Sequence, residues 1–357
     1  MSPLQSLWLM LLILGASFVA AAGFEKIPGV AFDLTRDYGT AAIYYPNSSY
    51  AKVAYVEGSS AYKAFMRRDA TATPVHDNSL CHLLPVSLTK LTFGYCDIAA
   101  SSDVDSSRAL LDTLKTSVTA YLGTTFCFAD IVIPDRRQAY QRGVIEKSLV
   151  AVGLRQSFRP SGADYRAVQS HNIPDSTNPN VYERVFLVVD YSNSGLRLLL
   201  FCDDYGVGGD LRRNYQPQLG AAHSDQPGHW DAIETVLRRF VEPPLGESAM
   251  GNKVPDRVEQ LVLYGDAIPD PKLAEVLESV LDVHVVQNAY MTNPIFASAI
   301  GGARISFQTQ TDIDFGAKPA LDVGGGRGCT TEALTNFDVF FHVAPTTRFL
   351  DLGEMYR

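Results

Sequence analysis

The chain has few of the features by which most functional classes can be recognised. Basic residues are neither numerous nor clustered: 30 Lys and Arg stand against 39 Asp and Glu, a formal net charge of -9. Neutralising a phosphate backbone needs grouped cations, so a nucleic-acid partner is excluded. No G-x-S-x-G, no H-E-x-x-H and no Cys/His pairing of catalytic spacing is present, which removes the common hydrolase chemistries. The five cysteines include no C-x-x-C, so zinc-ribbon and thioredoxin chemistry is absent too. After Ala22 no apolar run reaches the ~20 residues that span a bilayer. With 357 residues that are 46% hydrophobic, the chain still has material for one bilobed domain or two ordinary ones, which rules out disorder and small disulfide scaffolds.

What is present begins with Leu4 to Ala22, apolar almost throughout and ending in Ala20-Ala21-Ala22. Residues 1–22 read as a secretory signal peptide, although Met1-Ser2-Pro3 carries no Lys or Arg. The product is then secreted or lumenal in the endoplasmic reticulum, with no membrane span after cleavage; an uncleaved N-terminal membrane anchor is the alternative. Five cysteines leave at least one unpaired. Cys81 and Cys96 are the candidate disulfide, closing a short loop, whereas Cys127 and Cys202 sit in apolar strand-like runs and read as buried free thiols. Asn47-Ser48-Ser49 is an acceptable glycosylation sequon in a turn after Pro46.

Periodicity gives an alternating α/β chain. Gly29 to Tyr45 offers two β-rich runs about a polar turn, and Lys52 to Glu57 a third, so an antiparallel meander is expected. A helix capped by Asp105 or Ser106 and ending at Gly123 follows, then a buried strand from Phe128 to Ile133 and a helix from about Arg136 to Val152. Ala163 to Tyr182 is polar and reads as a linker or surface loop. Val185 to Asp190 and Leu196 to Cys202 then repeat the opening hairpin, each first strand ending in an Asp. A helix from Gly228 to Val241, a strand from Gln260 to Tyr264, a helix from Pro271 to Leu281 and a helical stretch near Pro294 to Arg304 complete two α/β lobes facing one cleft. Lobe I is assigned to residues 23–183, lobe II to 184–305, and 306–357 to a C-terminal tail packing on the domain.

Three stretches resemble the nucleotide-binding domain of heat shock protein 70 chaperones, in the actin-like ATPase superfamily. Ala109 to Leu154 is similar to that family's helix ending in AYLG, its strand ending in VP and its Q-R helix closing on A-G-L. Leu261 to Leu273 (LVLYGDAIPDPKL) resembles the adenosine-side signature, and Asn293-Pro294 with Ala297, Ala299 and Gly301 resembles the helix that follows it. The resemblance implies a two-lobed, ribonuclease H-like actin-like ATPase fold. It also implies two hairpins that hold ATP or ADP with Mg²⁺, where glycine backbone donors cradle phosphate and an Asp in each orders the metal through water.

Those hairpins have changed. In Ala31 to Tyr38, Asp33 and Tyr38 match the family pattern, but the turn glycine is Thr35 and the two threonines are Arg36 and Asp37. In Asp190 to Arg197, Asp190 matches, while Ser192, Asn193 and Ser194 replace the glycine triplet before Gly195. The adenosine signature keeps Gly265 and has Asp266 in place of its second glycine. The nearest candidate for the family's phosphate-contacting lysine is Lys63, which no motif supports. About seventy residues separate Asp190 from Leu261, roughly half the family's interval, so the outer subdomains are expected to be reduced. The residues after Arg304 are too few for a client-binding β-domain.

Added carboxylates repel phosphate and lost donors weaken its binding, so a degenerate domain is expected, non-catalytic or weakly nucleotide-binding, that acts through a protein partner. The residual metal and catalytic candidates are Asp33 and Asp190; the nucleotide candidates are Arg36, Tyr38, Ser192, Asn193, Ser194, Gly195 and Gly265. The alternative is a working Mg-ATP ATPase or chaperone-type protein. Two further strings read as turns. Asp322 to Gly328 (DVGGGRG) resembles a methyltransferase glycine loop without the βαβ unit that such a loop opens. His223, Asp225 and His229 lead into a helix that Trp230 anchors, and His284 reads as an edge-strand residue.

Overall fold

The fold is taken from a computed structural model that describes residues 28–68, 98–135, 138–171, 173, 183–204, 207–248, 251 and 253–312. The signal segment 1–22, Cys81, Cys96, Pro174 and Pro179, and the Asp322 to Gly328 loop lie outside them. The expected meander is present as β1 (Gly29–Leu34), β2 (Tyr38–Tyr44) and β3 (Tyr50–Glu57), paired antiparallel. α1 (Ser60–Met66) follows, with Ser59 as N-cap. Then come α2 (Ile98–Leu122), β4 (Phe128–Ile133) and α3 (Ala139–Ala151), and the short strands β5 (Arg155–Gln156) and β6 (Ser161–Gly162). β4 lies parallel to β1, giving the order β3-β2-β1-β4-β5 with β6 also on β4.

α4 (Ala163–Gln169) leads to β7 (Glu183–Ser192), β8 (Gly195–Asp204) and β9 (Val207–Gln216), a second antiparallel meander. α5 (His229–Phe240), β10 (Gln260–Tyr264), α6 (Pro271–Val280), α7 (Val283–Gln287) and α8 (Ala297–Thr311) complete the described chain. β10 pairs parallel to β7, so the second sheet runs β10-β7-β8-β9. Both sheets therefore share one plan: a three-stranded meander whose first strand takes a later strand parallel on its other side. Between β9 and β10 the described residues contribute two 3₁₀ turns, α5 and loop, with no further sheet. Each sheet has its own apolar core, the first around Phe32, Ile43, Leu111 and Ile131, the second around Leu187, Leu200, Ile233 and Leu261. A third cluster joins them through Val132, Ala167, Phe186, Val262 and Ala297. The fold class is thus α/β with mixed sheets.

Four local expectations are corrected. α2 starts at Ile98, well before Asp105 or Ser106; the Ser106 hydroxyl donates 3.0 Å to the Asp103 carbonyl inside the helix and caps nothing. The early turns are held because Asp103 accepts both Arg68 guanidinium nitrogens at 2.8 Å and the Tyr140 hydroxyl at 2.7 Å. Within the polar stretch 163–182, residues Ala163–Gln169 form α4, whose Ala163, Asp164, Arg166 and Ala167 are buried. Its Arg166 donates to Asp130 Oδ2 at 2.9 Å, the Ser161 hydroxyl at 2.7 Å and Gln169 at 2.6 Å, so polar residues form part of the core there. His284 lies in helix α7, begun by Asp282, whose carboxylate accepts the His284 amide at 2.8 Å. Cys127 is disulfide-bonded and not a free thiol, while Cys202 is buried in β8 and in no disulfide.

The last helix ties the halves together. α8 follows β10 in the chain, yet it packs on β1, β2 and β4 of the first sheet and crosses α4. The crossing is close enough to require glycine: a Cβ on Gly301 would stand 1.8 Å from the Arg166 carbonyl oxygen, and one on Gly29 2.1 Å from that of Ala303. Both obstacles are backbone and cannot swing away. Gly301→Ala is expected to destabilise the fold by about 3 kcal/mol, read as a lower urea midpoint at unchanged slope.

Candidate functional site

The two hairpin turns meet between the sheets. Asp33 and Asp190, at the ends of the first strands of the two meanders, line one small space with Thr35, Tyr38, Tyr264 and Gly265. Gly265 is fixed there by its φ of +118° and by the chain behind it, since a Cβ would lie 2.3 Å from the Tyr191 carbonyl. Asp33, Arg36, Tyr38, Asp190, Ser192, Ser194 and Gly265 thus line one space. Asn193 sits at the rim, Gly195 just behind it in the same turn, and Lys63 is removed from the site by its ion pair with Glu57.

The first turn satisfies itself. Thr35 Oγ1 accepts the amides of Asp37 at 3.2 Å and Tyr38 at 3.0 Å, and the Thr35 amide donates to the Tyr38 carbonyl at 2.9 Å. The Tyr62 hydroxyl donates to the Thr35 carbonyl at 2.7 Å, and Arg67 pairs with Asp37. The second turn is closed from the other side. Asp266 accepts the Asn193 amide at 3.0 Å and its side-chain nitrogen at 2.9 Å. A carboxylate therefore takes the backbone donor that an anion at this turn would need.

Arg36 fills what remains. It is only 7% exposed, and its guanidinium carbon lies 3.9 Å from the ring centroid of Tyr215 on β9, across the lobe boundary. Arg197, opposite Asp190 in the β7–β8 register, approaches the same ring at 5.2 Å and donates 2.6 Å to the Pro134 carbonyl of the first lobe. The Tyr215 hydroxyl donates to the Ser194 carbonyl at 3.0 Å. Farther along the boundary Arg213 pairs with Asp164, and the Tyr165 hydroxyl donates to Asp210. The space left beside Asp33 and Asp190 is about 20 Å³, about one water molecule's worth, where small-molecule sites take ~300 Å³ or more. Mg-ATP does not fit these residues: the space is far too small for a nucleotide, and the amides of Thr35, Asp37, Tyr38 and Asn193 already have partners within the chain.

Sequence reasoning missed Tyr215, Tyr264 and Tyr62, which close the site. The aromatic Tyr215 within the polar run Arg212-Arg213-Asn214 was the available signal for the first of these. His229 is buried at the start of α5, with Nε2 3.3 Å from the Tyr191 hydroxyl, and His223 Nδ1 lies 3.0 Å from Gln226, so the two histidines have separate partners. Asn47 is exposed at the tip of the β2–β3 hairpin, its carbonyl oxygen accepting the Ser49 amide at 3.0 Å and the Ser49 hydroxyl at 2.6 Å. No protein-family model matches the chain, and a search of curated proteins returns no significant match.

Burial dominates the electrostatics. Desolvation, then the Asp190 carboxyl, holds Asp33 well above the usual carboxylate range; its Oδ1 has no hydrogen-bond partner. Desolvation lifts Asp190 to about 7 against the pull of Arg197 and Arg36, and Asp130 to about 6 against Arg166. Arg36 is lowered to about 10, by burial and then by Arg197. Carboxyls raised on folding bind protons more tightly in the native state. They contribute no penalty below the unfolded carboxylate range and an increasing one as pH rises through the folded values. Stability is expected to be greater at pH 5 than at pH 7.5, with Asp33→Asn flattening the profile and raising the melting temperature at pH 7.5. Urea melts across this range test it; a profile rising towards neutrality would contradict it.

Proposed function

We propose that the chain is a degenerate actin-like ATPase domain of the heat shock protein 70 type, in the secretory pathway, acting through protein interaction and not nucleotide turnover. Its support is the shared plan of the two sheets, the helices α4 and α8 crossing between them, and the aspartate-ended hairpins facing one another. The observation that carries the non-catalytic half is Arg36, buried over Tyr215 where phosphate would otherwise be held. Arg36 and Arg197 bridge the lobes with side chains, a task that a bound ligand performs in a working two-lobed site. The rival reading, an active Mg-ATP enzyme, has the juxtaposition of Asp33 and Asp190 in its favour. Among the described residues no helix is long and apolar enough to cross a membrane.

Thermal-shift titration with Mg-ATP separates the two readings. No stabilisation is expected at millimolar nucleotide, because a ligand raises stability only where it binds the native state. Stabilisation that disappears in Asp33→Ala would establish the rival. Passage through the secretory pathway has its own test at Asn47, whose exposed turn already brings the Ser49 hydroxyl to the amide. Chain expressed through that pathway should carry a glycan that peptide N-glycosidase removes and Asn47→Gln abolishes; an unmodified Asn47 would count against this localisation.

A further inference from the structure

Away from the cleft, the second lobe has a cavity of about 610 Å³ between β9, an edge strand of its sheet, and the C-terminal half of α5. That volume lies within the ~300–1,000 Å³ of small-molecule sites. Three arginines line it, Arg212, Arg213 and Arg239, against the single carboxylate of Glu242. Arg213 is committed to Asp164 and Asp210, and the nearby acid Glu234 to Arg238.

Arg212 is held differently. Its Nη1 donates to the carbonyls of Phe240 at 2.7 Å and Glu242 at 2.8 Å, and its Nη2 to that of Pro244 at 2.5 Å. Three backbone acceptors fix the guanidinium at one end and leave its charge unmatched by a carboxylate. The Nε hydrogen and the second Nη2 hydrogen remain, the parallel pair of donors that a carboxylate or phosphate accepts. Arg239 is exposed on α5 and adds a second guanidinium with no ion pair among the described residues. Asn214 accepts Gln216 Nε2 at 2.8 Å through its carbonyl oxygen, which leaves its amide nitrogen to donate.

We propose that this cavity binds a small organic oxyanion, its carboxylate or phosphate group held by the Nε/Nη2 edge of Arg212 and by Arg239, with Glu242 setting an upper limit on affinity. The proposal is independent of what the cleft does. Calorimetric titration of the full chain at constant ionic strength, with citrate and with inorganic phosphate, tests it. Saturable binding of citrate alone identifies a carboxylate ligand, and of phosphate alone a phosphoryl ligand. Arg239→Ala is expected to weaken binding about tenfold and Glu242→Gln to tighten it about threefold, both without lowering the melting temperature because both side chains are exposed. The proposal fails if neither anion binds saturably, or if the two variants bind as the parent does.

Discussion

The closest approach between elements, α8 laid backbone to backbone across α4 and against β1, sets the geometry of everything else. Helices pack at 8–10 Å when side chains stand between them; here Gly301 and its small neighbours Ala297, Ser298, Ala299, Gly302 and Ala303, all buried, let α8 sit closer. Because α8 follows β10 in the chain but lies on the first sheet, it fixes the second lobe to the first. The ends of β1 and β7 are then directed into one gap. Asp33 and Asp190 face each other as a consequence of that crossing.

A gap between polar hairpins has to be filled. Water, a ligand or side chains can fill it, and the choice decides what the domain can do. Arg36 fills it here, and its burial is tolerable only because several partners offset the cost. A desolvated cation over an aromatic face is worth about 2 kcal/mol, against several kcal/mol to bury an unpaired charge. The Tyr215 ring and the nearby Asp190 supply the difference, and Asp190 is in turn kept from a still higher proton affinity by Arg197 and Arg36. Arg36 belongs to the first lobe and these partners to the second, so lobe closure and arginine burial support one another. Separating the lobes exposes the cation to water and takes Arg36 away from Asp190, which keeps only Arg197 on the neighbouring strand.

Elements with strong periodicity were legible in the sequence. β4 and β10 are short apolar runs buried in their sheets, and both fall at the expected residues; the opening meander and α5 follow their alternation closely. The misses share a physical cause. β9 is an edge strand with polar residues towards both the lobe boundary, where Arg213 meets Asp164, and α5, where Arg212 meets backbone carbonyls. Neither face is apolar, so no two-residue period exists to be read. α4 is short and its buried face includes Asp164 and Arg166, which become core residues only once Asp130 and Arg213 arrive from distant parts of the chain. The disulfide at Cys127 was hidden in the same way, because an apolar flank describes a thiol's burial and says nothing of a partner. Of the site itself, both aspartates and Gly265 were legible as matches to a pattern, whereas the filling of the cleft was not. It depends on Tyr215, Tyr264 and Tyr62, contributed by three separate elements.

The residues that depart from the nucleotide-binding pattern have found internal partners. Thr35, in place of a glycine, uses its hydroxyl to take the amides of Asp37 and Tyr38. Asp37 is matched by Arg67, and Asp266 closes the Asn193 turn with two bonds. Arg36 supplies the bulk and charge between the lobes. A loop that had merely lost its ligand would leave donors unpaired and an empty volume, both of which cost stability. This cleft has no room for a nucleotide, its substituted residues Thr35 and Asp266 hold the amides of Asp37, Tyr38 and Asn193, and Arg36 reaches across the lobe boundary to Tyr215. Under the proposed reading, what the fold once gained from a bound ligand it now gains from its own side chains. The surfaces left for recognition are those facing outward, with the arginine-lined cavity beside β9 chief among them.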